Sequence, residues 1–113
     1  MEQDDACVGA LVNACESIIE FTIRLSADQF LSSDLVQSAV IYKLLILGEA
    51  TKRLSVKFRE RHRDFPWQEI AGMRNHLIHR YENIDLLEVW QTCRNDIETM
   101  LKKLRNIQSQ GLT

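Results

Sequence analysis

Apolar residues recur at three- and four-residue steps along most of this 113-residue chain, which predicts amphipathic helices. The first stripe runs Val8, Leu11, Val12, Cys15, Ile18, Ile19, Thr22, Leu25. It should stop near Ser26, because Ser26 and Gln29 have the spacing of a capping box that opens a short helical turn through Phe30 and Leu31. A second long helix starts at Ser32 or Ser33, with Asp34 in the first turn where the macrodipole favours an anion. Its stripe is Val36, Val40, Leu44, Leu47, Thr51, Leu54 and Phe58, read as one helix. This helix also carries a second apolar face at Ile41, Tyr42, Leu45 and Ile46. A helix apolar on two sides needs partners on two sides, and a second copy of the chain would supply one. Gly48 within it lacks a side chain and would admit another backbone.

Pro66 suits the first position of the next helix, where its missing N–H would be unpaired in any case. That helix turns Trp67, Ile70, Met73, Leu77 and Ile78 inward, and Tyr81-Glu82-Asn83-Ile84 breaks it. Asp85 and Glu88 form a D-x-x-E start for a last helix with the stripe Leu86, Trp90, Cys93, Ile97, Met100, Leu104 and Ile107. The single proline and four glycines leave little material for hairpins. Near-heptad steps favour near-antiparallel packing. The expected architecture is therefore all-α: an antiparallel four-helix bundle with one extra short helical turn. It forms a single domain over 1–113, with its core over about 5–107 and a polar tail at 108–113.

Composition narrows the class. At 45% hydrophobic and 27% charged the chain reads as an ordinary folded protein rather than a disordered one. Its longest apolar run, Leu44-Leu45-Ile46-Leu47, falls far short of the ~20 residues that span a bilayer. The opening Met1-Glu2-Gln3-Asp4-Asp5 is acidic where a secretion signal is basic. A cytoplasmic protein without a membrane partner is the expectation. Cys7, Cys15 and Cys93 are odd in number, far apart and without a C-x-x-C pair, so they read as small buried hydrophobes.

A net charge of −2 does not suit a protein that coats nucleic acid by charge alone. The charges are nevertheless segregated. Lys52, Arg53, Lys57, Arg59, Arg61 and Arg63 crowd a stretch broken only by Glu60. Such a patch suits a phosphate backbone, and it equally suits a solvated helix face. His62, among charged residues, reads as solvated.

The candidate chemistry lies in Arg74-Asn75-His76-Leu77-Ile78-His79-Arg80-Tyr81, which holds two of the three histidines. Imidazole, with an ordinary pKa of ~6.5, gives and takes protons near neutrality. Guanidinium stays charged and offers a planar fork to phosphate oxygens. Together they suit metal-independent RNA cleavage, with His79 taking a ribose 2′-OH proton and Arg74 stabilising the anionic phosphorus. On a regular helix, however, Arg74 and His79 lie about 140° apart. They converge only if Arg74 swings round, the helix loosens before His79, or a second protomer completes the site. A dimer would bring two copies of His79 together, one as base and one as acid. Plainer readings stand beside this. A histidine near a helix end caps the dipole, and Tyr81 packs at a helix end. His76 and His79 fit two zinc ligands, but no Cys or carboxylate stands at a matching position. Spacing alone leaves an enzyme and an inert bundle level.

Three stretches carry a resemblance. These are Arg74, His79 and Tyr81 as R-x4-H-x-Y, with Asn75 after the arginine; Leu47-Gly48-Glu49-Ala50-Thr51-Lys52-Arg53-Leu54-Ser55; and Pro66-Trp67-Gln68-Glu69-Ile70-Ala71-Gly72-Met73-Arg74-Asn75. With Asp85 and Trp90 they follow one another in matching order over residues 5–105. The chain thereby resembles the HepT-like branch of the HEPN superfamily. The resemblance implies a HEPN-like helical bundle that forms a homodimer with both motifs near a shared cleft. It implies a metal-independent endoribonuclease acting as a toxin, without a cofactor, with RNA as substrate and a minimal nucleotidyltransferase as cognate antitoxin. It makes Arg74 and His79 catalytic, Asn75 site-orienting, and Tyr81 the acceptor of AMP from the antitoxin. Lys52, Arg53, Lys57 and Arg80 would guide RNA. The alternative is a non-catalytic dimeric module that binds a nucleotide or a nucleotidyltransferase partner.

Overall fold

The computed structural model describes residues 2–79 and 81–110, with the Tyr81 side chain also outside the described set. Among the described residues there are seven α-helices, one 3-10 turn and no strand: α1 (Glu2–Thr22), α2 (Ala27–Leu31), α3 (Asp34–Arg53), α4 (Val56–Arg61), α5 (Trp67–His79), a 3-10 turn (Tyr81–Asn83), α6 (Leu86–Asn95) and α7 (Ile97–Ser109). None of these helices is long and apolar enough to cross a membrane.

Helix starts follow local chemistry closely. Ser26 and Gln29 form the reciprocal capping box expected of them. Ser33 caps α3 by accepting from the Val36 N–H, and Asp85 caps α6 by accepting from the Glu88 N–H. Pro66 sits one place outside α5, where its carbonyl accepts from the Ile70 N–H at 3.2 Å. The first stripe overruns its helix by a few residues, since α1 ends at Thr22 and Leu25 lies half-buried beyond it.

Two expected long helices are interrupted. The second ends at Arg53 and does not reach Phe58. Leu54 turns extended, and Ser55 becomes the N-cap of α4. The cause is Asp4, whose buried carboxylate accepts from the Ser55 N–H and from the Ser55 hydroxyl, both at 2.8 Å. Ser55 Oγ in turn accepts from the Phe58 N–H, so Phe58 still reaches the core by way of α4. The last helix breaks at Asp96, where φ is −104° and no side-chain bond caps α7. The apolar stripe passes through the break in register, and Cys93, Ile97, Met100, Leu101, Leu104 and Ile107 are all buried.

Helix α1 packs between α3 and α7, α3 also packs on α5, and α2 bridges α3 and α6. Tie points fix the directions. Gln3 and Asp4 at the start of α1 bond to Arg53 and Ser55 at the end of α3. Glu16 of α1 pairs with Arg105 of α7 at 2.7 Å, while Arg94 beside the start of α7 reaches the Thr22 carbonyl at the end of α1. Both pairs are thus antiparallel. The core gathers Val8, Leu11, Ile18, Leu44, Leu47 and Leu104, with Phe30 against Trp90 at 5.3 Å and Phe65 stacked on Trp67 at 4.2 Å. The second apolar face of α3 is only partly covered: Ile41, Leu45 and Ile46 are half-buried, and Tyr42 is 59% and Leu35 81% exposed.

The Asp4 contact makes a testable pH dependence. Burial raises the Asp4 pKa, but the two Ser55 bonds and nearby Arg61 outweigh it, and the net shift is downward. A depressed folded-state pKa contributes stability above the ordinary carboxylate range and loses it as pH falls through the folded value. Asp4→Ala should therefore lower stability by roughly 1.5–3 kcal/mol near neutrality. In urea unfolding the gap to the wild type should narrow below about pH 4. A gap independent of pH would show that the carboxylate charge is not what holds Ser55.

Candidate active site

Helix α5 presents the motif, and its contact with α3 determines how. A Cβ added at Gly48 would lie 2.5 Å from the Arg74 Cβ, 3.2 Å from the Ile70 carbonyl oxygen and 3.4 Å from the Arg74 Cα. Only glycine allows this approach, as its lack of a side chain suggested. The contact plants the root of Arg74 directly on α3. One residue further, Glu49 Oε2 accepts from Arg74 Nε at 2.8 Å. Asn75 Oδ1 accepts from Arg74 Nη1 at 3.3 Å and from Lys52 Nζ at 3.4 Å, both at the long end of the hydrogen-bonding range. Arg74, Asn75 and Lys52 therefore do form one cluster, half-buried at Arg74 and exposed at the other two.

His79 is not part of that cluster. Helix α5 stays helical through His79, which is exposed, so the helix does not loosen to bring it round. Arg74 is held by Glu49 and does not swing toward it. His76 lies near the end of α5 beside a small cavity shared with Leu44, Leu77, Ile84 and Asp85. Tyr81 opens the 3-10 turn directly after the motif. Its side chain, and all of Arg80, lie outside the described residues.

The basic stretch divides. Lys52, Arg53 and Lys57 are exposed, and among the described residues only Lys52 touches the motif, at Asn75. His62 is not simply solvated: it is half-buried, with its ring 4.6 Å from Phe58, and its carbonyl accepts from Trp67 Nε1 at 2.9 Å. All three cysteines are buried and unpaired. Burial pushes the Cys15 and Cys93 thiols up to about 12 and raises Cys7 as well, so none is a ready thiolate. Among the described residues no three His, Cys, Asp or Glu side chains gather as a metal site. A cleft of about 390 Å³ between α5 and the α6–α7 junction, floored by Phe65, Ile70, Met73 and Met100, contains none of the described motif side chains. The Arg74 partner that sequence reasoning passed over is Glu49. It stands in the G-E-A stretch, yet nothing in the spacing sets it against a residue on another helix.

Gly48→Ala checks the α3–α5 contact. Overpacking against Arg74 should cost roughly 1–3 kcal/mol, even though alanine is ~1 kcal/mol the better helix former. Urea unfolding reads the difference, and a variant as stable as the wild type would mean that α3 and α5 part without penalty.

The sequence comparisons converge on one family. The family described as "Ribonuclease HepT-like" matches residues 11–107. The chain is 37% identical to the protein named "Probable ribonuclease HepT" of Thermococcus cleftensis, over 86% of this chain and 88% of that one. It is 36% identical to "Putative RNase TTE0752" of Caldanaerobacter subterraneus subsp. tengcongensis, over 86% of this chain and 87% of that one. It is 33% identical to "Putative RNase MJ1380" of Methanocaldococcus jannaschii, over 83% and 86%. No solved structure matches the chain significantly. With a match across nearly all of its helices, this all-helical chain belongs to the HepT-like ribonuclease family.

Proposed function

We propose that this protein is the toxin of a HEPN and minimal-nucleotidyltransferase pair, an endoribonuclease that needs no metal and acts as a homodimer of antiparallel four-helix bundles. The observation that supports this is an Arg74 held by Glu49 and an exposed His79 on a single unbroken helix, about 140° apart on a regular helix. The half-covered outer face of α3, with Tyr42 and Leu35 in solvent, supports a second copy as the partner.

In this reading neutral His79 takes the 2′-OH proton, and the freed oxygen attacks the adjacent phosphorus. Arg74 stabilises the anionic phosphorane. The bond from phosphorus to the 5′ oxygen breaks, and the leaving oxygen takes its proton from the second copy's His79. The products are a 2′,3′-cyclic phosphate and a 5′-OH. Asn75 orients the site, and Lys52, Arg53, Lys57 and Arg80 draw the RNA backbone toward it. Tyr81, just beyond His79, is the AMP acceptor for the antitoxin. The adduct would bring bulk and negative charge to the place that phosphate must occupy.

Purified protein should cut labelled total RNA in excess EDTA and leave 2′,3′-cyclic phosphate ends, whereas His79→Ala should lose ~10²–10⁴ in rate. No cutting by dimeric protein free of AMP would leave a non-catalytic module that binds a nucleotide or the nucleotidyltransferase.

A shared cleft also predicts dominance. If the two His79 copies act together, refolding wild type with an equal amount of His79→Ala should leave about a quarter of the wild-type rate at the same total concentration, because random pairing gives one fully wild-type dimer in about four. A rate of half would mean that each protomer works alone.

A further inference from the structure

The ion pair between Glu49 and Arg74 joins the two helices of the candidate site, with the two side chains 45% and 33% exposed. A pair so exposed contributes little to stability. Its consequence lies in where it holds the guanidinium.

A guanidinium has five N–H donors in a planar fork. In Arg74 the Nε proton goes to Glu49 Oε2 and one Nη1 proton to Asn75 Oδ1. One Nη1 proton and both Nη2 protons remain, enough to offer two parallel donors to two phosphate oxygens. The side chain is thus held at both ends: Gly48 seats its Cβ and Glu49 holds its Nε. Among the described residues no other carboxylate lies within ion-pair distance of Arg74. With Lys52 joined through Asn75, two cations and one carboxylate leave a single positive charge. That matches the one negative charge of an internal phosphodiester.

We propose that Glu49 is a positioning residue, which holds Arg74 by Nε and turns the free Nη edge outward to an internal phosphodiester of the RNA. The inference rests on the ribonuclease reading. It differs from the opposite role, in which Glu49 competes with phosphate for Arg74.

Glu49→Ala and Glu49→Gln separate these roles. A glutamine oxygen at the same reach still accepts from Nε. Glu49→Ala should lower kcat on RNA by ~10- to 100-fold with little change in KM, and Glu49→Gln should recover most of that loss. RNA binds through many phosphates, so misaiming one guanidinium affects the transition state more than the ground state. Both variants should unfold at nearly the wild-type urea concentration. Higher rates in both variants would assign Glu49 the competing role, and a wild-type rate in Glu49→Ala would remove it from the site. A readout free of catalysis accompanies these. In the folded dimer the Arg74 Nε–H resonance should be protected from exchange in the wild type and Glu49→Gln, and broadened by exchange in Glu49→Ala. An unchanged resonance in Glu49→Ala overturns the inference whether or not RNA is cut. A wild type that fails to cut RNA but keeps this resonance pattern overturns the ribonuclease reading and leaves the positioning contact in place.

Discussion

At Gly48 the backbones of α3 and α5 approach so closely that a methyl group there would overlap the Cβ of Arg74. The rest of the site depends on that approach. It sets Glu49 within reach of Arg74 Nε and Lys52 within reach of Asn75, both of which would separate if a larger residue pushed the helices apart. It also gives α3 a double duty, with one side packed on α1 and another on α5. Small residues on this helix, Gly48, Ala50 and Thr51, are all buried. Thr51 satisfies its hydroxyl on the Leu47 carbonyl at 2.9 Å, so no buried polar group is left open there.

In the proposed reading the chemistry is a surface chemistry. The motif cluster lies at the solvent edge of the α3–α5 contact, and the apolar cleft between α5 and the α6–α7 junction lies apart from it. A deep pocket suits a small molecule that must be wrapped, whereas a polyanion can be held along an exposed track of cations. The buried thiols take no part, because burial keeps them protonated. The reactive groups are confined to the side chains that solvent and a long substrate can both reach.

The predicted helix starts that proved accurate were those written in adjacent residues. Ser26 with Gln29, Ser33 and Asp85 each satisfy N–H groups within one turn of themselves. Such caps need no tertiary context and can be read in order along the chain. Most of the buried stripe positions were legible for a similar reason, since a period of 3.6 residues places them on one face wherever the helix packs; Ile78, expected to turn inward, is instead 43% exposed. Phe58 shows the limit. Its place in the stripe marks it as buried, but periodicity cannot see that the helix has ended at Arg53, before reaching it.

Sequence alone therefore determined the helical class, most of the buried stripes and the order of the R-x4-H-x-Y residues, and it marked Gly48 as a place where another backbone could approach. These properties follow from neighbours in the chain or from a repeated spacing. Tertiary structure decided the rest. Asp4 ends α3 by reaching Ser55 from the start of α1, and Glu49 on α3 holds Arg74 on α5. Hydrogen bonds and ion pairs act only across a few ångströms, and the partners in these contacts are brought within that range by the packing of whole helices rather than by any local pattern.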